Sequence, residues 1–198
     1  SLMDYPMEQI SRYINWIFFF TTWELKGKFP DIFDHPKYGS EARKLYQDAQ
    51  EMLQKIIDEK WLTANAVYGI FPAHSEGDDM VIYDEKDPGK IRTRFTMLRN
   101  QTLKEDGQPN LCLSDFVAPA SSGISDYIGA FAVTAGIGIE KKIKEFEADH
   151  DDYSAIMLKA LADRLAEAFT ELLHEDIRLN SWGYVADENL GVEDLFRE

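Results

Sequence analysis

The chain has 198 residues, 44% of them apolar, and sets 36 Asp and Glu against 21 Lys and Arg for a formal charge of −15. That is enough apolar material for a sizeable core, and the wrong sign of charge for gripping a nucleic-acid backbone or an anionic membrane surface, where clustered Lys and Arg supply most of the affinity. The one cysteine, Cys112, excludes an internal disulfide and a Cys-based zinc site, and the longest apolar run, Trp16 to Phe20, is far short of the roughly 20 residues that cross a bilayer.

In chain order, residues 8 to 26 predict one helix, apolar nearly all round. Ile10, Tyr13, Ile14, Ile17 and Phe18 share a face, and Trp16, Phe19, Phe20 and Trp23 fill the others. Gly27 is expected to end it, and Phe29-Pro30 to force extended chain. A second helix is expected after Ser40, read as its N-cap, because Leu45, Ala49, Met52, Leu53, Ile56 and Ile57 recur at helical spacing. The period then changes. Ala66 to Phe71, closed by Pro72, and Met80 to Tyr83 read as strands joined across a turn at Gly77-Asp78-Asp79. Ile91 to Leu98 alternates as a half-buried strand does. Leu111 to Val117 and Tyr127 to Thr134 are further strand candidates, the latter apolar on both faces and so expected at the centre of the sheet. After Gly136 and Gly138 the pattern returns to helix over Ile139 to Ala148. Asp151 and Asp152 then cap a long helix to about Leu179, and a short one starts near Gly191. Neither repeats nor linkers interrupt the chain, which predicts one α+β domain over residues 1–198: an antiparallel sheet flanked by helices, with a long C-terminal helix. The start at Ser1-Leu2-Met3 and the helical reading of the last residues suggest a fragment cut at both ends.

Few short motifs carry chemistry. Gly136-Ile-Gly138 lacks the third glycine and the acidic partner of a dinucleotide fingerprint. Glu171-x-x-His174 has the spacing of a bridged metal site but no second copy, and His74, Glu76, Asp78 and Asp79 straddle a turn where polar residues belong anyway. Asp163 and Glu167 lie four apart beside an apolar helix stripe, a placement that spacing alone reads as two surface acids. On these residues no metal site is expected.

Several longer stretches, in order and over nearly the whole chain, resemble the activation domain of cobalamin-dependent methionine synthase. They are Trp16 to Leu25 with Gly27-Lys-Phe-Pro30, Gly69-Ile-Phe-Pro-Ala73 with Gly77-Asp-Asp79, Leu113 to Pro119, Asp126 to Thr134, His150 to Tyr153, Lys159 to Phe169, and Trp182-Gly-Tyr184. The resemblance implies a cytoplasmic methyltransferase in methionine biosynthesis. Its activation domain binds S-adenosylmethionine for reductive methylation of cob(II)alamin, the cobalamin being bound by a neighbouring domain and the electron coming from flavodoxin or a flavoprotein reductase. It implies no catalytic side chain here: holding a sulfonium with its methyl aimed at cobalt calls for positioning and for negative or π-rich surroundings. Asn15 stands where the family carries an aspartate that contacts the donor's amino group, and Glu167 and Glu198 correspond to acidic residues near the donor and the cobalamin face. A donor-binding Arg-Pro-Ala-Pro-Gly-Tyr segment of the family lies beyond position 198. The fragment alone is therefore expected to be inactive, truncated at its C-terminus. The alternative is a stand-alone acidic interaction domain that kept the fold and lost the donor site.

Overall fold

The structure, a computed structural model, describes residues 1–183 and 191 apart from 88 and 106. The chain forms two compact units, one of Ser1–Val67 with the described residues from Val133 onward, the other of Tyr68–Ala132.

In the first unit the segment expected as one helix is two: α1 (Met7–Ser11) and α2 (Trp16–Thr22). The break has a local cause. The Asn15 backbone is extended (φ −81°, ψ 101°), and its side-chain oxygen accepts the Ile17 N–H at 3.1 Å, so it is the N-cap of α2. Two hydroxyls bond back along α2, Thr21 to the Ile17 carbonyl and Thr22 to that of Phe18. The chain then turns at Glu24, in the left-handed region at φ 61°, before Gly27 is reached. The Phe29–Pro30 bond is cis, and a 3-10 turn, Asp31–Asp34, follows it in place of extended chain.

The aromatic run of α2 divides between core and surface. Phe19 and Phe20 are fully buried, whereas Ile17 and Phe18 are 40% and 56% exposed, against the expectation that they share a buried face. The ring of Phe20 lies 5.7–6.4 Å from those of Phe19, Phe29, Phe33 and Tyr46. Helix α3 (Gly39–Asp58) turns Ala42, Leu45, Ala49, Leu53 and Ile56 inward at the predicted spacing, capped by Tyr38 and not by Ser40. Helix α5 (Asp152–Asp176) buries Met157, Leu158, Ala160, Leu161, Leu165, Ala168, Phe169, Leu172 and Leu173, and contacts α1, α2 and α3. Its cap is the expected one, Asp151 accepting the Ser154 N–H at 2.9 Å. A π turn, Ile177–Trp182, carries the chain on from it. Helix α4 (Ile139–Ala148) begins at Gly138, whose φ is 100° and where a Cβ would come within 2.9 Å of the Trp61 carbonyl. Close backbone approach, not a dinucleotide, accounts for that glycine. The helix expected near Gly191 falls outside the described residues.

The sheet has four strands, β1 (Thr63–Glu76), β2 (Asp79–Tyr83), β3 (Ile91–Thr96) and β4 (Asp126–Ile137), in the order β3-β2-β1-β4, with β1/β2 and β2/β3 antiparallel. Strand β1 runs through Pro72. The ladder with β2 begins at Ala73↔Ile82, so the missing proline N–H removes no bond from it. Strand β4, expected at the centre, is an edge, with Tyr127 41% and Phe131 45% exposed. All of β3 is exposed rather than half-buried. An apolar run records what a strand could bury but not whether anything covers it. Leu113–Phe116 is a 3-10 turn instead of a strand, because Asp115 reaches back to accept the Cys112 N–H at 2.9 Å.

In the second unit the polar residues flagged beside the Gly77 turn serve as ties. Arg99 donates to Asp78 at 2.6 and 3.0 Å, to Asp115 at 2.7 and 2.8 Å, and to the Asn110 carbonyl at 2.7 Å. Arg94 takes Glu76 at 2.8 Å and Asp79 at 3.3 Å, and the His74 ring lies 3.1 Å from the Ile124 carbonyl. The Asp115 carboxyl, bonded first by Arg99 and then by the Cys112 N–H, is held at about 2, against 3.8 for a free side chain. Its charged form therefore stabilises the fold above the unfolded value, and that contribution fades as pH falls toward 2. Urea midpoints taken at pH 6 and pH 3 are expected to drop less between the two for Asp115→Asn than for the parent chain.

Candidate functional site

The N-cap of α2 and the outer face of α5 meet although their residues are some 150 positions apart in sequence. A cleft of about 70 Å³ lies there, lined by Tyr13, Asn15, Phe18, Arg164, Glu167, Ala168 and Glu171. The cap that starts α2 presents Asn15, and the buried pair Ala168 and Phe169 fixes the rotation of α5 that turns Glu167 and Glu171 outward on successive turns.

The cleft is acidic and partly dry. Glu167 is exposed and Glu171 half-buried. The Glu171 carboxyl is pushed above the ordinary glutamate range, first by burial and further by the Glu167 charge, against a lowering from His174. Tyr13 donates its hydroxyl to Glu175, and burial followed by that bond raises its pKa to about 12, so it stays protonated. The Arg164 guanidinium is bound to its neighbour Asp163 and lies 5.7 Å from the Phe18 ring centroid, while its buried Nε finds no hydrogen-bond partner. Tyr13 also lines a second cleft of about 400 Å³ with Tyr5, Glu8, Arg12, Glu175 and Asp176. Among the described residues no group of three or more His, Cys, Asp or Glu could hold a metal ion, and no helix is long and apolar enough to cross a membrane.

The family model for the vitamin B12 dependent methionine synthase activation domain matches residues 6–198. The chain belongs to that family. It is also similar to a solved MetH reactivation domain bound to AdoHcy, at 50% identity and a TM-score of 0.90, over 96% of this chain and 58% of that one. The activation-domain chain studied here thus spans less than two thirds of the length of that structure. Within the family's α+β fold, the antiparallel sheet and long helix α5 stand as predicted.

Of the three residues singled out in the activation-domain sequence, Asn15 and Glu167 share one cleft, and Glu198 lies outside the described residues. The structure adds a second duty for Asn15: its oxygen is engaged by the Ile17 N–H, so the acceptor expected to face a ligand already serves the helix. The sequence reading missed Tyr13 and Glu171. Glu171 follows Glu167 at the four-residue spacing that puts two side chains on one helix face, and that spacing was the available signal.

Proposed function

We propose that this activation-domain chain forms part of the S-adenosylmethionine site of a cobalamin-dependent methionine synthase. It holds the donor for the reductive methylation of cob(II)alamin, with Asn15, Glu167 and Glu198 facing it. The observation that carries the reading is the convergence of Asn15 and Glu167 on one acidic, partly desolvated cleft. The donor is a cation, and carboxylates withdrawn from water bind a cation more strongly than solvated ones.

Ligand pockets usually enclose about 300 Å³ or more, so a cleft of about 70 Å³ takes one end of the donor, and other polypeptide must wall the adenosyl part. What these side chains do is orient. Glu167 offers charge, Tyr13 a protonated hydroxyl and a ring face, and none is placed to move a proton in the reaction. Cobalamin, bound by a neighbouring domain, supplies the methyl-accepting metal. Nothing in the cleft resembles a corrin site, in keeping with an acceptor brought from outside. The same proposal places the chain as a single domain within a longer cytoplasmic methyltransferase, inactive alone, with the cobalamin domain and flavodoxin or a flavoprotein reductase as partners.

Calorimetric titration of the full-length protein with S-adenosylmethionine tests the reading. Asn15→Asp keeps one oxygen for the α2 cap and frees a charged one for the ligand. Exchanging a neutral hydrogen bond for a charge-assisted one adds about 1 kcal/mol, so binding should tighten roughly fivefold. Asn15→Leu should weaken it. Equal affinities for all three remove Asn15 from the site, and no heat at all from the parent protein overturns the reading.

A further inference from the structure

We infer that Glu171 supplies the negative charge that position 15 lacks, pairing with the cationic amino end of the methyl donor in the Asn15–Glu167 cleft. The inference rests on the reading that this cleft takes S-adenosylmethionine.

Three observations lead there. The Asn15 oxygen is taken by the Ile17 N–H, so what the amide has left is its NH2 group, a donor that cannot accept from an ammonium. Glu167, the other acid on the wall, is exposed, where water screens its charge. Glu171 sits one turn further along α5, lines the same cleft and is half-buried, and no side chain among the described residues donates a hydrogen bond to it. A carboxylate withdrawn from water with neither donor nor cation beside it is poorly satisfied, and an ammonium in the cleft would satisfy it. Its neighbours do not. Arg164 is committed to Asp163, Tyr13 donates to Glu175, and Glu175 thereby has its own partner.

The charged and titratable groups facing Glu171 are Arg164, Glu167 and His174 on α5 and Tyr13 on the segment between α1 and α2. Glu171 must be ionised to pair with the ligand. Because burial and Glu167 raise its pKa, affinity should weaken as pH falls into the range just above an ordinary glutamate, and replacing Glu171 should flatten that profile.

The test is calorimetry on the full-length protein with S-adenosylmethionine and with S-adenosylhomocysteine, which shares the amino group but lacks the sulfonium charge. Glu171→Gln should weaken both ligands by a similar factor, about tenfold, and remove the acid loss of affinity between pH 7 and pH 5. Asn15→Asp added to Glu171→Gln should restore most of the lost affinity, because it returns a carboxylate to the same end of the ligand. A structural role for Glu171 predicts no such rescue. Unchanged affinity and pH profile in Glu171→Gln, with the parent binding normally, overturn this inference and leave the methyl-donor reading standing. Loss confined to S-adenosylmethionine also overturns it, placing Glu171 at the sulfonium. A parent protein that binds neither ligand overturns both.

Discussion

Phe20→Ala is expected to destabilise the fold by about 3–5 kcal/mol, the usual loss when a large buried side chain is truncated. Phe20 is fully buried, and four aromatic rings, those of Phe19, Phe29, Phe33 and Tyr46, close around it. These come from α2, from the chain on either side of Pro30 and from α3, so the space left by the ring cannot be filled by one neighbour's rotation, and the edge-to-face contacts with Phe19 and Phe33 go with it. The measurement is a urea unfolding curve, read as a midpoint shift at constant slope. Phe18→Ala in the same helix is the control: Phe18 is 56% exposed, and its loss should stay below about 1 kcal/mol. Equal losses for the two would contradict the division of the aromatic run into core and surface.

The second large effect concerns a residue with no side chain. Gly39 opens α3, and a Cβ built there lies 2.3 Å from the Phe33 carbonyl oxygen, far inside contact distance and against backbone. In an open helix, glycine to alanine gains up to about 1 kcal/mol of propensity. Here the sign reverses. The methyl must push away the 3-10 turn that carries Phe33 into the Phe20 cluster, and overpacking of this kind costs about 1–3 kcal/mol. Thermal unfolding of Gly39→Ala should show a lowered Tm, and a raised one would mean that the two backbones are not in close approach.

The residues differ in how plainly they announced themselves. Helices α3, α4 and α5 were legible because their apolar positions recur every three to four residues, and that spacing requires only that one face of the helix be covered. Asp151 was legible as a cap because capping is local. Asn15 was not, since the apolar residues on both sides of it kept the helical pattern running through the break that its side chain makes. The turn at Leu113–Phe116 was hidden for the same reason: one carboxylate bonding back to Cys112 N–H outweighed an apolar run that favoured a strand.

Of the candidate site, the sequence carried Asn15 and Glu167 through the family resemblance, and it carried no sign that they share a cleft. That meeting depends on how α2 packs across α5, a contact between residues some 150 positions apart that no local pattern encodes. What the sequence by itself determined was the family, the helical segments and the acid character of the surface, because these follow from residue identity and short-range spacing. The tertiary structure alone decided which apolar strand lies at the edge, that the Asn15 amide is already committed to a helix, and that Glu171 stands unpaired beside it. Each of those depends on what a distant part of the chain brings alongside.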